Sequence, residues 1–277
     1  MGMRITTNVS ALNAQRTMSI SQREINKSMA QLASGNRITK SADDAAGLAI
    51  SEGLKSQIRS LAQSGRNAND GISMVQVAEG GLNEVSNILT RMRELGIQAA
   101  SDTVGEKERG FLDKEVQQLK AEMQRISQTT KYGSTKLIDG TASDFDFQVG
   151  ISNDAEVDRI TFNAGEANAS TSNLGVDGFD FTSREGAQEA LGTIDEAQTT
   201  VNGFRASLGA LQNRLQSTVD NLNVQHENLS AANSRIRDTD VAAASAEMTR
   251  NSILLQANTS TLAQANQIPQ MAMKLIG

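Results

Sequence analysis

Apolar residues recur in alternating steps of four and three along most of this chain, the spacing that lays one stripe along a helix. Leu54, Ile58, Leu61, Ala68, Ile72, Val75, Leu82 and Leu89 follow one such series, broken at Gly65, Glu79 and Ser86. A second stripe, Val85, Ile88, Met92, Leu95 and Ala99, overlaps its end. One stripe yielding to another predicts a long helix whose partner changes along its length. Residues 101–110 supply turn residues and no stripe. Leu112, Val116, Leu119, Met123 and Ile126 then predict a shorter helix, an antiparallel neighbour of the first, ending near Tyr132-Gly133.

From Leu137 the period changes. Phe145-Asp146-Phe147-Gln148-Val149 alternates apolar and polar, as a half-buried strand does, and Arg159-Ile160-Thr161-Phe162 and Phe179-Asp180-Phe181-Thr182 repeat the pattern. Gly140, Gly150, Gly165, Gly175 and Gly178 punctuate these runs, and five of the seven Phe lie among them, as strands favour aromatics. The prediction is a hairpin-rich region over 137–185, about 45–50 residues long. From Gly186 the helical spacing returns with Val201, Phe204, Leu208, Leu211, Leu215, Leu222 and Leu229, interrupted by Thr218 and Gln225. A helix from 186 to about 235 would be about 75 Å long.

A break is expected at Arg237-Asp238-Thr239-Asp240, with Thr239 or Asp238 as the cap of a last, Ala-rich helix. That helix carries Met248, Ile253, Leu254 and Leu262, then Ile268 and Met271 around Pro269. At the other end Ile5, Val9 and Leu12, and later Ile25, Met29 and Leu32, predict a weak helix stopping at Ser34-Gly35-Asn36. Neither terminal segment has the apolar surface to stand alone in water. Both read as segments that fold on meeting partners, and the two ends are expected to meet each other. The fold class is therefore mainly α: a long antiparallel helical coiled-coil rod built from paired N- and C-terminal regions, with a small β-hairpin region in the middle.

Composition supports that class. Apolar residues make up 38% of the 277, below the usual roughly 45–50%. Aromatics are 3%, with no Trp and one Tyr, so the core must come from Leu, Ile, Val, Met and Ala. The single Pro, Pro269, leaves very long helices unbroken. Without Cys there is no disulfide, thiol nucleophile or Cys-based metal site, which suits the cytosol or an extracellular protein that does without disulfides.

The net charge of -6 is unevenly spread. Residues 1–40 hold six bases against Glu24, and residues 137–200 hold thirteen acids against Arg159 and Arg184. The N-terminal bases are spaced singly and lack aromatic neighbours, so nucleic acid is not the expected partner. No apolar run approaches the roughly 18 residues of a membrane span. Residues 1–10 lack the apolar core of a secretory signal.

Little catalytic chemistry is on offer. The only His, His226, sits between Gln225 and Glu227 and is expected to be an exposed helix residue. No two-His zinc motif or Gly-rich phosphate loop exists, and the acids lack the calcium-loop spacing. Asp43-Asp44 suits a helix start. No catalytic, cofactor-binding or metal-binding residue is expected. The apolar stripes exceed what one narrow rod can bury, so neighbouring copies should cover the remainder, and a head-to-tail contact that does not close gives a helical filament.

Specific segments carry a resemblance. Leu32-Ala33-Ser34-Gly35-Asn36-Arg37-Ile38-Thr39-Lys40-Ser41-Ala42-Asp43-Asp44-Ala45-Ala46-Gly47-Leu48-Ala49-Ile50 and Asn67-Ala68-Asn69-Asp70-Gly71-Ile72-Ser73 resemble the N-terminal signature of flagellins. Phe147-Gln148-Val149-Gly150 is similar to the start of their hairpin region. Ser234-Arg235-Ile236-Arg237-Asp238-Thr239-Asp240 and Leu262-Ala263-Gln264-Ala265-Asn266-Gln267-Ile268-Pro269-Gln270 resemble their C-terminal signature. These matches are ordered and bracket the chain.

The resemblance implies an inner core domain of 1–43 with 237–277 and an outer core domain of 44–236. It implies a minimal flagellin without variable outer domains, polymerising with itself into the bacterial flagellar filament that drives motility. It further implies secretion through the flagellar export apparatus without a cleaved signal, and an extracellular location. Implied partners are an export chaperone and the hook-associated and cap proteins. Chaperone and filament-core contacts fall on Ile253, Leu254, Leu262 and Ile268, and the N-terminal core helix uses Ile5, Val9, Leu12, Ile25, Met29 and Leu32. A Toll-like receptor surface of an animal host maps onto Arg91, Leu95 and Glu115. The nearest alternative is a hook–filament junction protein of the same superfamily. The Asn266-Gln267-Ile268-Pro269-Gln270 tail and the small middle favour flagellin. An enzyme would have only carboxylates to work with, and a coiled-coil adaptor would form small closed oligomers.

Overall fold

The computed structural model describes the backbone of residues 7–276 and the side chains of residues 7–267. The chain is mainly α with a small antiparallel strand region. Its order is α1 (Val9–Ser34), α2 (Ala45–Ala99), α3 (Glu106–Thr129), β1 (Lys131–Tyr132), β2 (Thr135–Lys136), β3 (Phe145–Gln148), β4 (Arg159–Phe162), α4 (Arg184–Arg237) and α5 (Val241–Ile276). The chain forms two compact units, Met1–Ile58 with Asn228–Gly277, and Arg59–Glu227.

Local chemistry sets the helix ends. The Asn8 side chain accepts from the Ala11 amide at 3.1 Å to start α1, and Gly35 ends it in the left-handed region at φ 70°, a conformation Gly adopts without strain. Asp44 accepts from the Gly47 amide at 2.8 Å at the start of α2. For α5 the cap is Asp240, whose Oδ1 accepts from Ala242 and Ala243 at 2.9 and 3.1 Å. The sequence pointed to Thr239 or Asp238, but their backbones are engaged elsewhere: the Thr239 amide donates to Gly35 O, and Asp238 bridges Asn36.

In the larger unit one core joins α2, α3, α4 and the strand region. Both predicted stripes of α2 enter it together: Leu82, Val85, Leu89, Met92 and Ala99 are fully buried. Ala187, Ala190, Ile194, Val201, Leu208 and Leu215 line it from α4, and Val116 and Met123 from α3. β3 and β4 pair antiparallel, Phe145 opposite Phe162 and Phe147 opposite Ile160. Two α2 side chains hold the hairpin: Asn67 Nδ2 donates to Gln148 O at 2.9 Å and Ser64 Oγ to Gly150 O at 3.1 Å. The Phe147 ring lies against Gly71, where a Cβ would come within 3.1 Å of it.

The third predicted strand does not form. Residues 179–182 are an irregular strap leading into α4. The alternation is real, since Phe181 is fully buried, Phe179 half-buried, and Asp180 exposed. What is missing is a partner strand. One face of α3 replaces it with side chains. Asp113 accepts from the Phe181 amide at 3.0 Å, Lys120 Nζ donates to Asp177 O at 3.2 Å and also to Phe179 O, and Gln124 Oε1 accepts from the amide and hydroxyl of Thr171 at 3.1 and 3.0 Å. Lys120 Nζ also lies 4.1 Å from the centre of the Phe179 ring. The Phe181 amide and the Asp177 and Phe179 carbonyls are thus paired without a sheet.

Candidate assembly surface

α1 and α5 pack against each other. In α1 the seam consists of Ala11, Ala14, Met18, Ser21, Ile25, Ser28 and Leu32, with Ala14, Ser21 and Ser28 buried and the rest half-buried. In α5 it consists of Ala244, Met248, Asn251, Leu255, Asn258, Leu262 and Ala265. Both series step by three and four, and each alternates a long side chain with a small or short polar one. Asn8 Nδ2 donates to Ala265 O at 2.8 Å across the pair. Small residues let the helices approach closely while burying little apolar area.

This separates the terminal residues singled out in the sequence. Ile25, Leu32 and Leu262 belong to the seam. Val9 and Leu12 are each 57% exposed and Ile253 is 60% exposed, with Leu254 also exposed. Met29 is exposed at the seam's edge. Ile5 and the Ile268 side chain lie outside the described residues. The two halves of the predicted α1 stripe therefore face different ways, because Val9 and Leu12 are out of phase with Ile25 and Leu32 at 100° per residue.

A clasp follows α1. The Arg37 amide donates to Arg237 O at 2.6 Å, and its guanidinium Nη2 to Ile236 O at 2.7 Å, satisfying carbonyls at the end of α4. Thr239 returns an amide to Gly35 O at 3.0 Å, and Arg237 pairs with Glu52.

In the larger unit Arg91 Nη2 meets Glu115 Oε1 at 2.9 Å and Arg91 Nη1 meets Glu94 Oε2 at 3.0 Å. The hydrogen bond to Glu94, then that to Glu115, holds the guanidinium pKa above its ordinary value. Leu95 lies where its place in the second apolar stripe puts it. It is 2% exposed and part of the core, because the second α2 stripe turns inward between α3 and α4. Of the three residues mapped to a receptor surface, Arg91 and Glu115 lie at the surface. His226 is half-buried rather than exposed, and no side-chain hydrogen bond ties it to a carboxylate among the described residues. Among the described residues no cluster of three or more His, Asp or Glu could hold a metal. No described helix is long and apolar enough to cross a membrane. Sequence reasoning missed the clasp and the α3 side chains that hold the strap. Asp113, Lys120 and Gln124 carry one visible signal, a polar series in steps of seven and four beside the apolar stripe.

Paired terminal helices that leave large apolar residues outside their own seam define a helical assembly subunit. The sequence matches the bacterial flagellin N-terminal helical region over residues 5–143 and the bacterial flagellin C-terminal helical region over residues 191–276. The chain belongs to the bacterial flagellin family. It is 45% identical over 274 residues to a flagellin of Halalkalibacterium halodurans, covering 99% of this chain and 100% of that one. It is 40% identical over 286 residues to the flagellar filament 33 kDa core protein of Treponema phagedenis, covering 99% and 100%. The crystal structure of Bacillus cereus flagellin superposes with a TM-score of 0.51 at 32% identity, over 61% of this chain and 94% of that one. The chain is a structural subunit of the flagellar filament, and full-length similarity to filament proteins disfavours the junction-protein alternative.

Proposed function

We propose that this subunit polymerises by burying the outward apolar residues of its terminal helices, Val9 and Leu12 on α1 and Ile253 and Leu254 on α5, against neighbouring copies. The observation that carries this reading is the division within the terminal pair: the seam alternates large apolar residues with small and polar ones, and further large apolar residues, Val9, Leu12, Ile253 and Leu254, remain exposed outside it. Isolated exposed apolar residues need no explanation, but neighbouring exposed apolar pairs on each of two paired helices suit a protein-binding face. The residues before Asp44 and after Ile236 form the inner domain, and 44–236 the outer one. The Asp44 and Asp240 caps, which start new helices at those borders, support this division.

The chain carries no catalytic activity in this reading. It leaves the cell through the flagellar export apparatus without a cleaved signal and resides in the extracellular filament. A chaperone holds α5 before export, using Ile253, Leu254, Leu262 and Ile268, and the cap and hook-associated proteins meet the same terminal helices. The outer domain presents Arg91 and Glu115 to a Toll-like receptor. Their fixed geometry and exposure support that assignment.

Seeded polymerisation of Leu254→Asp tests the assembly surface. The position is exposed, so the monomer should unfold within about 0.5 kcal/mol of wild type. Elongation from wild-type seeds should fail in electron micrographs. Long filaments at the wild-type rate would remove Leu254 from the subunit contact.

A further inference from the structure

Four Asp-Gly or Asn-Gly pairs occur in the chain: Asp70-Gly71, Asp139-Gly140, Asp177-Gly178 and Asn202-Gly203. In such a pair no Cβ shields the glycine nitrogen, which reaches the preceding side-chain carbonyl carbon wherever the backbone is free to turn. The fold withholds three of the four. Gly71 and Gly203 lie inside α2 and α4, where helical geometry fixes the main chain. The Asp139 carboxylate is committed: Oδ1 accepts from the Thr141 amide and hydroxyl at 3.0 and 2.6 Å, and Oδ2 meets Lys136 at 3.0 Å. Asp177 and Gly178 lie outside helix and strand, and both are exposed. Among the described residues the Gly178 amide donates no hydrogen bond and the Asp177 carboxylate accepts none. No atom lies within 4 Å of where a Gly178 Cβ would stand. One group does touch this peptide. Lys120 Nζ donates to the Asp177 carbonyl at 3.2 Å, the oxygen of the same amide whose nitrogen belongs to Gly178. A cation on that oxygen draws electron density from the nitrogen and makes its proton easier to lose, and the deprotonated nitrogen is the attacking form.

We infer that Asp177-Gly178 is a site of spontaneous isoaspartate formation. The Gly178 nitrogen bonds to Asp177 Cγ, and the amide proton leaves with the carboxyl hydroxyl as water, closing a succinimide ring. Water then opens the ring. Cleavage of the bond from nitrogen to Cγ restores aspartate. Cleavage of the bond from nitrogen to the former main-chain carbonyl carbon leaves that carbon as a carboxylate and routes the chain through the side chain. No oxidant or cofactor enters, and the product is an isomer of the starting chain. The new carboxylate forms beside the Lys120 ammonium, which favours it. The onward chain gains one methylene, so Phe179 and Phe181 shift against Lys120 and Asp113, and the strap loosens. This goes beyond filament formation and is independent of it.

Incubation of the purified chain for several weeks at neutral pH and physiological temperature in heavy-oxygen water, followed by peptide mapping, tests the inference. The peptide spanning residue 177 should split into two chromatographic species, the newly formed one methylated by an isoaspartyl methyltransferase and carrying a heavy oxygen from the opening of the ring. Asp177→Glu should abolish this signal, since the larger ring closes far more slowly. Gly178→Ala should cut it several-fold, because a Cβ screens the nitrogen. Both positions are exposed, so circular dichroism should be unchanged in either variant. Amides at 178–182 should exchange faster in the converted chain than in fresh chain. A single unlabelled species at residue 177, or an equal signal in Asp177→Glu, would overturn the inference. So would equal or greater conversion at Asp70 or Asp139, because the fold would then not select the site. The polymerisation of Leu254→Asp does not bear on this result.

Discussion

Replacing Lys120 by Met keeps the length and apolar stem of the side chain and removes its charge and donors. The residue is 6% exposed, so water cannot readily replace the side chain's donors. Two carbonyls, of Asp177 and Phe179, lose their donor, at roughly 1–3 kcal/mol each. The contact with the Phe179 ring contributes about 1 kcal/mol more. Part of this is returned. Burial lowers the Lys120 pKa against the opposing pull of Asp113, Asp177 and Asp180, so keeping an ammonium there has a desolvation cost that Met does not carry. The net loss is about 2–4 kcal/mol, which for a unit of this size lowers the thermal midpoint by roughly 5–15 °C. The assay is urea and thermal unfolding of the monomer together with hydrogen exchange. Amides at 171–182 should exchange faster, while those at the centre of the α2–α4 core should change only with global stability. An unfolding free energy within about 0.5 kcal/mol of wild type, with unaltered exchange in the strap, would refute the assignment of Lys120 as its anchor.

Two further outcomes are expected. Burial by itself raises the Asp139 pKa, but hydrogen bonds from the Thr141 hydroxyl and amide and from Lys136 together outweigh it and hold the carboxyl below its usual range. A depressed carboxyl contributes stability above its unfolded pKa of about 4 and loses it as pH falls through the folded value, so Asp139→Asn should show a shallower fall in urea midpoint across that acid window than wild type. Arg91→Ala breaks only exposed ion pairs, for a stability cost below about 1 kcal/mol, yet should shift the receptor dose–response at least tenfold to the right; an unmoved curve would exclude Arg91 from that surface.

The long helices were legible because α2 and α4 bury their stripes in a core that recurs over many turns. Leu82, Leu89, Leu208 and Leu215 fall where a step of three or four puts them. Phase was harder to read than period. Val9 with Leu12 and Ile25 with Leu32 each keep a helical spacing, but only contact with α5 decides which pair turns inward. At Phe179 and Phe181 the alternation correctly reported inside and outside. It carried no information on hydrogen-bond partners, which here are side chains from α3 more than fifty residues earlier. Leu95 was legible as core from its place in the second stripe, and it is buried there. The Asp240 cap lay one or two residues beyond the expected caps because the clasp had already engaged Asp238 and Thr239.

The pairing of α1 with α5 has a consequence for the timing of folding. Asn8 meets Ala265, and Gly35 meets Thr239, so the first helix to be synthesised waits for the last. During translation, and again during any passage that starts from the N-terminus, α1 has no stable partner until more than two hundred further residues have emerged. A chain cut before α5 lacks the partner that α1 packs against. The pairing therefore acts as a check on completeness: only a molecule carrying both ends can form the α1–α5 pair.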